Sequence, residues 1–182
     1  MSRTAIEFAA KLKTGVSAGK DLMRFTFSCI GKMKAGAEKD LLDRYVDRAR
    51  KTGRGLGISD IVVSELSESR AQRPEDRKAE EAKGLLNSVS GSARVVVLDE
   101  NGKNLTSPDF SRKIESWKDE GIPEVVFAIG GADGHGQELL ARADLKLAFG
   151  AMTWPHQIAR ILLAEQVYRA MTILSGHPYH RI

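Results

Sequence analysis

The stretch that most constrains the fold is Arg94–Asp99, RVVVLD. Its four consecutive apolar residues, Val95 to Leu98, show no polar alternation, which fits a strand covered on both faces within a parallel sheet. The rest of the chain supplies the helices such a sheet needs. Met23–Ile30 alternates Phe25, Phe27 and Cys29 with Arg24, Thr26 and Ser28, the pattern of a half-buried strand. Leu41, Leu42, Tyr45, Val46 and Ala49 then recur at helical spacing, and Gly53–Gly57 ends that helix. A second strand is predicted over Asp60–Leu66. The helix after it starts near Pro74, with acidic residues in its first turn where the helix dipole favours them.

Beyond RVVVLD, Asp99–Gly102 reads as a turn, and Ser107 as the N-cap of a helix with Pro108 at its first position. Phe110, Ile114 and Trp117 face one way on that helix, and Gly121 stops it. Glu124–Ile129 is a strand, Gln137–Ala143 a short helix, Leu145–Phe149 a fifth strand and about His156–Leu174 the last helix. Strand and helix alternate five times, which predicts an α/β sandwich with a mostly parallel sheet of five to six strands. Residues 23–182 read as one domain and residues 1–22, with weak periodicity, as an N-terminal extension.

A chain of 182 residues, 42% hydrophobic, is long enough for one sizeable core. Cys29 is the single cysteine, so no intramolecular disulfide or cysteine zinc site is available, and a reducing cytoplasm is the expected setting. No apolar run approaches the roughly 18 residues of a membrane span. Of the net charge of +4, half comes from residues 1–22, where Arg3, Lys11, Lys13 and Lys20 outnumber Glu7 and Asp21. Strong nonspecific RNA binding needs many phosphate-neutralising cations, so contact with RNA is expected through shape or a local basic edge.

Ligands of open α/β sheets bind beyond the C-terminal ends of the strands, and Leu98-Asp99, Ile129-Gly130-Gly131 and Phe149-Gly150 are three such ends. The loop GGADGHG, residues 130–136, carries four glycines that let backbone approach a neighbour, yet it is neither a Rossmann fingerprint nor a P-loop. On residues alone, a structural turn and a ligand loop both remain open. The incomplete fingerprint weighs against a nucleotide-binding oxidoreductase. Gly150–Pro155 adds backbone groups and the apolar Met152 and Trp154, a mixture suited to an adenine ring or to core packing. The last helix has two apolar groups, Ile158, Ile161 and Leu162 on one side and Leu163, Val167, Ala170 and Leu174 on another. Two such groups imply burial between the sheet and a second body, most naturally a dimer partner. The tail holds His177, Tyr179, His180 and Arg181; no carboxylate or cysteine accompanies the histidines, and Pro178 disfavours helical presentation, so no metal site is expected.

AIGGADG, the loop Met152-Thr153-Trp154-Pro155-His156, the helix pattern Arg160–Ala170 and the ending His177-Pro178-Tyr179-His180-Arg181 together resemble the RlmH family. These are small SPOUT-class methyltransferases of large-subunit ribosomal RNA, and the resemblance runs from Met23 to the end. It implies a C-terminal trefoil knot, which the pattern of elements does not predict. It also implies a homodimer and use of S-adenosylmethionine, with Leu98, Gly131, Gly150, Ala151, Met152, Thr153, Trp154 and Pro155 as the cofactor-binding positions. The family's usual loop has glutamate where this chain has Asp133 and leucine where it has Trp154. The implied reaction is methylation at N3 of a pseudouridine in 23S ribosomal RNA, on assembled ribosomes. His180, Arg181 and Tyr179 are then the expected substrate-positioning or proton-transfer residues, with His177 a further proton acceptor. A noncatalytic RNA-binding or ribosome-assembly factor of the same fold is the alternative.

Overall fold

The structure, a computed structural model, describes residues 22–179. The extension up to residue 21, His180 and Arg181 lie outside the described residues. Five strands, β1 (Met23–Ile30), β2 (Ile58–Leu66), β3 (Arg94–Asn104), β4 (Glu124–Ile129) and β5 (Leu145–Ala148), form one sheet in the order β2-β1-β4-β3-β5. Every pairing is parallel. The helices are α1 (Ala37–Gly53), α2 (Pro74–Asn87), α3 (Ser107–Asp119), α4 (Gln137–Arg142) and α5 (His156–Leu174). The five-stranded α/β sandwich expected from the alternation is therefore present.

Two cores lie on opposite faces of the sheet. Phe25, Phe27, Val96 and Phe127 pack with α1, α3 and α5 on one side, while Ile30, Val95, Val97 and Ala128 pack with α2 and α4 on the other. Phe127 is the hub of the larger core, meeting Phe25, Phe27 and Phe110 edge to face at 5.7, 5.6 and 6.2 Å between ring centres.

Four sequence expectations change. β1 is an interior strand between β2 and β4, so it is buried on both faces from Phe27 onward and even Ser28 is inaccessible. Thr106, not Ser107, caps α3, because its hydroxyl accepts a hydrogen bond from the Asp109 amide at 3.2 Å; the Ser107 hydroxyl donates instead to Gln166 Oε1 on α5 at 2.8 Å. The turn at Asp99–Gly102 is an excursion within β3, since Leu98 and Lys103 both lie opposite Leu147 of β5. Gly102 closes that excursion so tightly that a Cβ there would stand 2.7 Å from backbone atoms of Lys146 and Leu147. Finally, much of the apolar surface of α5 is covered by this chain's own helices: it lies against α1 and α3, with Ile161, Leu163, Val167, Ala170 and Met171 buried and Ile158, Leu162 and Leu174 half-buried.

Candidate active site at the carboxyl ends of β3, β4 and β5

Parallel strands direct their carboxyl ends to one edge, and here three of them open into a cavity of about 690 Å³. β3 contributes Leu98 and the Asp99–Asn101 excursion, β4 the loop Gly130–His135, and β5 the stretch Phe149–Pro155. Of the eight positions carried over from the resemblance, Leu98, Gly131, Gly150, Met152, Thr153, Trp154 and Pro155 line the cavity. Ala151 is exposed in the same loop but does not line it.

The β5–α5 loop is pinned by polar contacts. Asn104 Oδ1 accepts from the Gly150 amide at 2.9 Å, the Thr153 hydroxyl donates to Glu100 at 3.1 Å, and Trp154 Nε1 donates to the Phe149 carbonyl at 3.1 Å. Met152 nevertheless keeps 75% of its surface exposed and Trp154 44%, leaving apolar walls uncovered at the cavity mouth.

The glycines of the β4–α4 loop are accounted for largely by protein neighbours. Gly134 adopts a positive φ of 84° in the turn that bridges back to Gly131. Gly136 packs against α2, where a Cβ would meet the Lys78 carbonyl at 2.6 Å. Gly130 makes room for the His135 imidazole, and Gly131 for the carboxylate of Glu81 and the side chain of Ile30.

His135 joins two walls of the cavity: its Nε2 lies 2.7 Å from the Leu98 carbonyl, so Nε2 carries the proton and donates. Nδ1 is buried without a partner, and burial lowers the imidazole's pKa, which keeps the ring neutral. Behind the loop, Arg77 donates from Nε and Nη2 to the two carboxylate oxygens of Asp133 at 2.6 and 3.1 Å, and from Nη1 to the carbonyls of Ala71 and Gln72. That fork holds the Asp133 carboxyl below its ordinary range. Glu81 moves the other way, raised by burial, while accepting the Ser69 amide at 3.0 Å. The charged side chains lining the cavity are the carboxylates of Asp99, Glu100 and Asp133, with no lysine or arginine. The arrangement suits a mid-sized ligand with an apolar ring and positive charge.

The tail residue Tyr179 stands elsewhere. Its ring packs 4.8 Å from that of Tyr168 beneath the Arg169 guanidinium, and its hydroxyl donates to Glu165 at 3.1 Å. Burial and the Glu165 charge push its pKa up to about 12. Glu165 is nine residues along α5 from the cavity-lining His156, about 13 Å at the helical rise. Exposed His177 accepts the Tyr179 amide on Nδ1. Of the expected catalytic residues, Tyr179 is the one described, and within one chain it is not brought to the cofactor-binding positions.

Sequence reasoning did not single out His135, Glu100, Arg77 or Glu81, and it named Asp99 only as part of a strand end. His135 was visible inside a glycine loop at a strand end, but nothing local pairs it with a carbonyl 37 residues away.

Comparison with known proteins agrees with this geometry. The profile of the family described as "Predicted SPOUT methyltransferase" matches residues 23–180. A protein of Brucella anthropi named ribosomal RNA large subunit methyltransferase H is 52% identical over 159 residues, covering 87% of this chain and 99% of that one. Its namesake in Chelativorans sp. is 50% identical over 159 residues, with 87% and 91% covered. Another in Rhizobium leguminosarum bv. trifolii is 50% identical over 160 residues, with 88% and 100% covered. The cavity-forming loops all fall inside the matched span, and the chain belongs to the SPOUT methyltransferase family, alongside the proteins named ribosomal RNA large subunit methyltransferase H.

Proposed function

We propose that this enzyme transfers the methyl group of S-adenosylmethionine to N3 of a pseudouridine in 23S ribosomal RNA within the assembled ribosome. The observation that carries the reading is the coincidence of a family match over residues 23–180 and relatives at about half identity with a cavity lined by seven of the eight positions implied for the cofactor. S-adenosylmethionine supplies a methyl group already activated on a positively charged sulfonium. Asp99 and Glu100 offer that cation an anionic surround, Asp133 being paired with Arg77, while Leu98, Ile129, Phe149, Met152 and Trp154 offer apolar surface to its adenine. The neutral His135 fixes the Leu98 carbonyl, and the pinned β5–α5 loop fixes the third wall. The protein's main task is then to align donor and acceptor.

The N3 proton of the acceptor must also leave. Tyr179, with its pKa up near 12, stays protonated at neutral pH, so it positions by hydrogen bonding and stacking and is not the base. His180 takes the proton and Arg181 forks onto RNA phosphate in this reading. Because Tyr179 is bonded to Glu165, six to nine residues along α5 from the cavity-lining Ala159 and His156, about 9 to 14 Å, the tail that serves a cavity belongs to the second subunit of a homodimer. Residues 23–182 form the catalytic domain and residues 1–22 an extension. The protein works in the cytoplasm; among the described residues no helix is long and apolar enough to cross a membrane. In this reading the chain after β3 forms a trefoil knot.

Incubation with labelled S-adenosylmethionine and ribosomes lacking the modification, followed by nucleoside analysis, tests the reading. N3-methylpseudouridine in 23S RNA is the expected product. Cofactor binding without label in RNA would refute it.

A further inference from the structure

The carboxyl edge of the sheet is electrically divided. On the β3, β4 and β5 side, the loops hold Asp99, Glu100 and Asp133 against Lys103, and Asp133 is paired with Arg77 from α2. On the β1 and β2 side, residues 31–36 and 67–73 hold Lys32, Lys34, Arg70 and Arg73 against Glu68. The negative half complements a sulfonium cofactor but repels a polyanion. RNA that presents a base to the cavity must find its counter-charge next to it.

We propose that the loops following β1 and β2 form the RNA-phosphate seat of the enzyme, with Lys32, Lys34 and Arg70 as its phosphate contacts. This rests on the proposed action on ribosomal RNA and names the surface that would hold it. Three observations carry it. The seat adjoins the cavity: β1 is the neighbour of β4, a Cβ on Gly131 would lie 3.2 Å from Ile30 Cγ2, and Arg77 ties the 67–73 loop to Asp133.

The seat is also held in place before anything binds. Met33 is buried and its amide donates to Glu65 at 2.8 Å; Glu65 is held in turn by the buried Arg160 at 2.9 Å, which also donates to the Ile30 and Gly31 carbonyls. Lys32 and Lys34 flank that anchor and are exposed. The Ser69 amide is fixed by Glu81 and the carbonyls of Ala71 and Gln72 by Arg77, so the backbone on both sides of Arg70 is fastened as well. A surface ordered in advance loses less entropy on binding.

Its cations are free as well. Arg73 pairs with Asp76, Arg77 with Asp133 and Arg160 with Glu65, whereas Lys32, Lys34 and Arg70 have no carboxylate partner among the described residues. An unpaired cation displaces counterions from RNA without first breaking a pair of its own.

The test is direct binding of the full-length protein to ribosomes lacking the modification, by co-sedimentation over a series of KCl concentrations. The variants are Lys32→Ala/Lys34→Ala, Lys32→Ala/Lys34→Ala/Arg70→Ala and Lys32→Arg/Lys34→Arg, with Lys118→Ala as a control at the opposite edge. S-adenosylmethionine affinity is measured alongside. Each lost phosphate contact should reduce the slope of log affinity against log salt by about 0.7 to 0.9. The triple variant is expected to bind ribosomes at least tenfold more weakly than wild type with unchanged cofactor affinity; the arginine variant and Lys118→Ala should bind as wild type does. Unchanged ribosome affinity and salt slope in the triple variant would overturn the proposal, as would an equal loss in the Lys118→Ala control. Because the readout is binding, it stands apart from the methyl-transfer assay: a wild type that binds ribosomes through these residues yet labels no RNA refutes the reaction and leaves the seat standing.

Discussion

The two halves of the sheet's carboxyl edge are built by different means. The β3–β4–β5 half is made of backbone turns, glycines and apolar walls, and it stays open, with Met152 and Trp154 uncovered. The β1–β2 half is closed by side chains: Arg160 reaches from the first turns of α5 to Glu65 and to two carbonyls at the end of β1, and Arg77 crosses to Asp133. A cavity that exchanges a small ligand needs uncovered surface, whereas a loop that holds its shape empty needs its carbonyls and amides spoken for. The contrast predicts different failures on the two sides.

The largest effect is expected from Arg160→Met. It leaves Glu65 without its cation and two buried carbonyls without a donor, and should cost about 3 kcal/mol of stability in chemical denaturation, the low end of the range for broken buried pairs because Glu65 keeps some contact with water. Adding Glu65→Gln, which keeps an acceptor for the Met33 amide, should restore part of that loss; a double variant as unstable as the two single losses combined would show that the pair is not coupled.

On the open side, Gly102→Ala forces a methyl group against the backbone of β5 and should cost about 1 to 3 kcal/mol. Thermal unfolding measures it, and an unchanged midpoint would mean that the excursion relaxes freely. His135→Ala removes one hydrogen bond between the cavity walls. It should weaken S-adenosylmethionine binding about five- to tenfold, from a net hydrogen bond of about 1 to 1.5 kcal/mol, with His135→Gln retaining more affinity through its side-chain amide. Equal affinities for alanine and glutamine variants would remove His135 from the cavity's support.

The same residue sets a pH dependence. Burial depresses the folded imidazole's pKa below its ordinary 6.5, so below that value the unfolded chain binds more protons than the folded one. Its contribution to stability is complete above about 6.5 and is lost as pH falls through the folded pKa; His135→Gln should flatten that part of the profile. The smallest effect is expected from Trp154→Leu. Because Trp154 is half exposed and its one hydrogen bond goes to a loop carbonyl, cofactor affinity should change by less than about threefold, under 1 kcal/mol.

What could be read from the chain follows the same division. RVVVLD declared an enclosed strand, and the glycine loop and GAMTWP declared strand-end turns, because those signals are local. Seven of the eight expected cofactor positions face one cavity for that reason. The interior position of β1 was not legible: Arg24 and Thr26 suggested a polar face, but they meet Glu124 of the neighbouring strand, at 3.0 and 2.6 Å. Nor did periodicity reveal that α5 is flanked by α1 and α3, because an all-round apolar helix reads the same whether a partner helix comes from its own chain or another. Arg160 stood out only as the first residue of a helix pattern; its partners lie 95 to 130 residues away. Side-chain pairs at such separation leave no periodic trace.

That separation has a consequence for how the chain is made. At about 5 to 20 residues per second, Glu65 waits on the order of 5 to 20 seconds after its own synthesis before Arg160 exists. During that interval the first two strands can pair, but the edge beyond them holds an uncompensated carboxylate and two carbonyls that water alone must satisfy. A single guanidinium near the start of the last helix thus acts as a late fastener, and the nascent chain cannot finish its first strand's edge until it has almost finished its last helix.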